Sequence, residues 1–71
     1  MRVMLSSEFI VMHIERDGRG PVAVARAIGV SYVTMWRWMV GERKPTAAHA
    51  AALARELRIP AKAFLRAIES S

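Results

Sequence analysis

Between Pro21 and Val40, two short runs of helically spaced apolar residues are separated only by Gly29-Val30-Ser31. A joint that tight makes two helices cross at close range, which leaves few folds open. The crossing point needs a small side chain, and Ala25 supplies it. The joint needs a residue that tolerates positive φ, and Gly29 follows at the required place. Apolar side chains must lock the pair together and onto a core; Val24, Ile28, Val30, Met35 and Trp38 have that spacing. Ser31 stands where the second helix needs an N-cap.

The rest of the chain keeps the helical rhythm, and no segment alternates with the two-residue period of a strand. Ser6 or Ser7 caps a first helix to Asp17, with Phe9, Ile10, His13 and Ile14 on one face. Val11 and Met12 fall on its other side, so with Val3, Met4 and Leu5 this helix is apolar nearly all round. The glycines at 18 and 20 end it, and Pro21 suits the first position of a second helix over 21–28, with Val24, Ala27 and Ile28 inward. A third helix spans 32–40 and ends at Gly41. Thr46 caps a fourth, running to about Arg58, with Ala50, Leu53, Ala54 and Leu57 on one face. Pro60 opens a fifth over 60–70, with a stripe of Ala61, Phe64, Leu65 and Ile68. The expected fold is all-α: a compact bundle of four to five short helices in one domain, 1–71, around a helix-turn-helix unit at 21–40.

Composition narrows the function. Without cysteine the chain has no thiol nucleophile, no disulfide and no Cys-based zinc site. At 54% hydrophobic residues it is too apolar for disorder, yet it lacks an uncharged apolar run of about 18 residues that would span a membrane. Residues 1–14 resemble a signal peptide only superficially, because Glu8 interrupts the apolar run and no small-residue cleavage site follows. His13 and His49 lie on different helices without a second ligand at metal spacing, and His13 with Asp17 reads as a helix-surface pair. No Ser/His/Asp set, phosphate-cradling glycine loop or carboxylate pair suggests catalysis. The expectation is a non-enzymatic protein with no metal and no cofactor. Its net charge is +5, and the stretch 16–46 holds six basic residues against Asp17 and Glu42, so four of the five charges sit there. Excess positive charge gathered on one segment points towards nucleic acid.

The stretch Val24-Ala25-Arg26-Ala27-Ile28-Gly29-Val30-Ser31, then Thr34-Met35-Trp36-Arg37-Trp38-Met39-Val40-Gly41 and Arg43-Lys44-Pro45, resembles the phage-repressor/Cro-like (XRE-type, lambda-repressor-like) helix-turn-helix family. In texture it is similar to the small Cro-like and YdaS-like regulators, and the likeness covers about 20–57. The resemblance implies that helix 3 enters the DNA major groove while helix 2 lies across it. Turning helix 3 at about 100° per residue independently puts Met35, Trp38 and Met39 on the core side and Val33, Trp36, Arg37 and Val40 outward.

Roles follow as expectations. Arg37 is expected at guanine, Val33 at a thymine methyl, and Ser31 and Tyr32 at base edges. Arg19, Thr34, Trp36, Arg43, Lys44 and the amides near Thr46 are expected at the DNA backbone. One departure is Pro21, where the family often places a polar, phosphate-anchoring side chain. A single short helix reads few base pairs, so a homodimer on a pseudo-palindromic, inverted-repeat double-stranded DNA operator is expected. Candidate dimer contacts are Phe64, Leu65 and Ile68 of helix 5, or Val3, Met4 and Val11. The expected function is a cytoplasmic, nucleoid-associated transcriptional regulator, most simply a repressor. Two rivals share these features. One is an antitoxin or anti-CRISPR-associated autoregulator whose main partner is another protein; the other is an RNA-binding module. The second is disfavoured because duplex RNA hides its major groove.

Overall fold

The computed structural model describes residues 6–69, with the side chains of Ile68 and Glu69 left aside. Val3, Met4 and Leu5, and the side chain of Ile68, therefore lie outside the described residues. Within them are helices α1 (Ser6–Asp17), α2 (Pro21–Ile28), α3 (Tyr32–Met39), α4 (Ala47–Glu56) and α5 (Ala61–Glu69), and no strand. The all-α expectation holds. α1 and α2 end at the expected residues, while α3, α4 and α5 end a residue or two inside the sequence-based limits, as fraying termini do.

Packing follows the apolar faces. α1 contributes Ile10 and Ile14, α2 Val24 and Ala25, α3 Met35 and Trp38, α4 Ala50, Leu53 and Ala54, and α5 Phe64 to one core, closed by Ile59. α2 packs on α3 and α4, α1 on α3 and α5, and α4 on α5. The alanines of α4 are what let α2 and α5 approach it. Phe64 is fully enclosed, with its ring edge-on to Phe9 at 5.5 Å between centroids.

Several inward assignments change. Ala27 is exposed, while Ala25 is buried as its assignment to the crossing requires. Ala61 is exposed at the start of α5. Phe64, expected at a dimer surface, is spent on the protomer's own core, and Leu65 packs half-buried against the same core. The rings of His13 and Phe9 lie 4.5 Å apart, and burial, with Arg16 nearby, lowers the His13 pKa. Asp17 turns to Arg19 instead.

Three helix ends share one device. After α2, the Gly29 amide donates to the Arg26 carbonyl and the Val30 amide to Ala25. After α3, the Gly41 amide donates to Trp38 and the Glu42 amide to Arg37; after α4, Arg58 donates to Arg55 and Ile59 to Ala54. Each is a Schellman ending, which needs a left-handed residue at its pivot. Gly29 (φ 78°) and Gly41 (φ 80°) meet that need freely, whereas Arg58 is forced to φ 57°.

Arg19 ties the α1–α2 loop to the end of α4. Its Nε and Nη2 donate to the two Asp17 carboxylate oxygens (2.6 and 3.2 Å), and its Nη1 donates to Glu56 Oε2 (2.8 Å). Asp17 and Glu56 each sit at a helix C-terminus, where the helix dipole disfavours negative charge. The guanidinium offsets both. Its hydrogen bonds also hold the Asp17 pKa below its ordinary value.

Two predictions arise. Nothing lies within 4 Å of a Cβ built on Gly29, so Gly29→Ala has only a backbone cost, about 1–2 kcal/mol. Arg58→Gly removes the same kind of strain and is expected to raise stability by about 0.5–1 kcal/mol. Opposite shifts of the thermal midpoint check the pair. For Asp17 the folded-state pKa is depressed, so its contribution is complete above the ordinary carboxylate pKa and disappears as pH falls below about 4. Asp17→Asn should flatten that acid limb in urea titrations, and an unchanged limb would refute the assignment.

Candidate nucleic-acid interface

Ser31 sets the start of α3: its Oγ accepts from the Thr34 amide (3.1 Å) and lies 3.0 Å from Thr34 Oγ1. Both hydroxyls are therefore partly committed to the cap while remaining at the surface. From there Met35 and Trp38 point inward, almost wholly buried, and Met39 packs partly buried beside them. The other side of the helix is open. Tyr32, Val33, Trp36 and Val40 keep 43–54% of their surface exposed, and the Arg37 side chain keeps 43%. The inside and outside of α3 are thus as its periodicity requires, and the outward strip stays about half exposed.

The residues after α3 form a second, basic group. Arg43 and Lys44 are exposed while Pro45 is buried, which anchors the loop between them and α4. Thr46 caps α4, its Oγ1 accepting from the His49 amide at 3.3 Å, with His49 Nδ1 also 3.3 Å away. The His49 ring lies 5.3 Å from that of Trp38. The back of α3 is thereby tied to the start of α4, and the α4 N-terminus keeps a defined place relative to the strip.

Arg19 stands apart from this group. It was expected at phosphate, yet its guanidinium is engaged by Asp17 and Glu56, and the two carboxylates raise its pKa. The physical reason is the pair of acidic helix ends beside it, which only the fold brings together. Two further features belong to this surface. Val22 of α2 is 52% exposed; its position opposite Val24 and Ile28 on the helical wheel was the available signal. Glu42 places its Oε1 3.6 Å from Arg37 Nε, and its spacing from Arg37 gives no sign of that across a helix end.

Among the described residues, no three His, Asp or Glu side chains gather to hold a metal ion. No helix there is long and apolar enough to cross a membrane. The arrangement offers a partly exposed aromatic and apolar strip on α3, followed along the chain by the exposed Arg43 and Lys44.

No family model matches the chain, and no curated protein matches it. Among solved structures it is similar to the DNA-binding domain of the P22 C2 repressor, determined in solution by nuclear magnetic resonance and compared there with the 434 repressor domain. The two share 25% identity and a TM-score of 0.83, over 92% of this chain and 86% of that one. With five helices in this arrangement around the Ala25–Gly29 joint, the chain has the helix-turn-helix fold of the repressor-like family.

Proposed function

We propose that the chain is a sequence-specific double-stranded DNA-binding regulator, most simply a Cro-like repressor that occludes a promoter. The observation that carries this reading is the outward strip of α3, where Val33, Trp36 and Arg37 are each about half exposed. Large apolar side chains gathered at a surface favour a binding partner, and the similarity to a repressor DNA-binding domain supports duplex DNA as that partner. α3 lies in the major groove and α2 across it. Arg37 takes guanine O6 and N7, Val33 meets a thymine methyl, and Ser31 and Tyr32 offer hydroxyls to base edges. Thr34, Trp36, Arg43, Lys44 and the amides at the start of α4 near Thr46 hold phosphates. One short helix reads too few base pairs for specificity, so two copies bind an inverted repeat, with half-sites about 34–36 Å apart.

Two measurements test this. With sites selected from random duplex DNA, Arg37→Ala should weaken binding by about 1–3 kcal/mol, roughly five- to 150-fold. Undiminished binding would remove α3 from its reading role and favour a protein partner for the same strip. If each protomer neutralises roughly three to four phosphates, the dimer's log Kd against log salt should have a slope of magnitude about 5–7. Duplex RNA of matching sequence should compete poorly, and a flat salt response or equal competition would overturn the proposal.

A further inference from the structure

Arg37 does not stand alone on the strip. The Schellman ending of α3 turns the chain back at Gly41, and the Glu42 amide donates to the Arg37 carbonyl at 2.9 Å. The backbone itself therefore sets Glu42 against Arg37, and the Glu42 carboxylate reaches Arg37 Nε at 3.6 Å. The ion-pair contact is made through Nε, the inner nitrogen, and the terminal amino groups are the edge a guanidinium uses to pair end-on with an acceptor pair. Within 16–46 the acidic residues are Asp17 and Glu42. Asp17 is held by Arg19, and Glu42 is the carboxylate that contacts the strip through Arg37.

We infer that Glu42 is a specificity-determining residue that governs which DNA group Arg37 takes. The inference rests on the reading of α3 as a major-groove helix. A guanidinium facing duplex DNA has two destinations, a phosphate or the guanine edge. Reaching a phosphate draws Arg37 from Glu42 and brings a carboxylate towards the phosphate backbone, and both effects are unfavourable. Pairing end-on with guanine O6 and N7 uses the terminal amino groups and leaves Nε with Glu42. The carboxylate thus disfavours phosphate-only complexes and is tolerated in the base-reading one. Because the pair is exposed, the effect is modest. Specificity is a difference between two affinities, so a small penalty on one arm is enough.

The test is Glu42→Gln, which keeps the side-chain shape and the backbone turn while removing the charge. Affinities are measured for a site selected by the wild-type protein and for a random-sequence duplex of equal length, across a salt series. The variant should bind the random duplex about two- to fivefold more tightly, with a salt slope steeper by about one, and gain less on the selected site. The specificity ratio therefore falls. In an Arg37→Ala background the same substitution should leave the ratio unaltered, which separates action through Arg37 from a general charge effect. If the wild type discriminates between the two duplexes but Glu42→Gln changes both affinities equally, the role of Glu42 is refuted and the major-groove reading stands. If the ratio falls just as much without Arg37, the coupling is refuted. If the wild-type protein shows no preference between the duplexes, the reading of α3 and this inference fail together.

Discussion

The burial of Met35 and Trp38 beneath α3 is the contact on which the rest of the structure depends. Both are almost completely removed from solvent, and together they fix the rotation of α3 about its own axis. With eight residues, α3 is too short to be stable as an isolated helix. Packing on that inward face is what holds it. The same contact decides what faces outward, since Val33 and Arg37 occupy the opposite side of the same two turns. Trp38 extends the effect to the next element through the His49 ring. Truncating a buried aromatic costs about 3–5 kcal/mol, a large share of the roughly 5–15 kcal/mol that holds a domain together. The outward strip and the fold therefore stand or fall together.

The helix ends supply the second layer of control. Three of the four inter-helix connections begin with a left-handed residue and the same pair of backbone hydrogen bonds. Each ending satisfies carbonyls that would otherwise lack partners and sends the chain off at a defined angle. After α2 it aims the chain into α3; after α3 it brings Glu42 back over Arg37; after α4 it seats Ile59 in the core. Arg58 performs this at a cost that a glycine would not incur. Backbone geometry at helix ends, more than side-chain contact, arranges the charged groups around the strip.

The positions where local reasoning and the folded chain part are informative. The crossing alanine, the Gly29 joint and the inward pair of α3 follow from periodicity and stereochemistry, because each depends on neighbours within a few residues. The helical spacing places Ala27 and Ala61 inward, yet both lie outside; alanine carries too little apolar surface for its pattern to select a face. Phe64 has a strong apolar signal, but periodicity cannot tell a protomer's own core from a partner's surface. Arg19 looked like a free cation near a helix start. One of its carboxylates, Asp17, is only two residues away, whereas Glu56 lies far along the chain and reaches Arg19 only through the fold.

The amino-acid sequence alone determined the five short helices, the tight joint between the second and third, and which side of the third turns away from the core. Those properties rest on interactions within one or two helical turns, where the spacing of side chains is dictated by the backbone. The tertiary structure alone decided which charges remain available at the surface and which are paired. Glu42 is set on Arg37 by the local turn that ends α3, but the packing of distant elements tied Arg19 to Glu56 and enclosed Phe64. Such pairings depend on how separate segments meet in space, and electrostatic partners at that range leave no periodic mark in the chain.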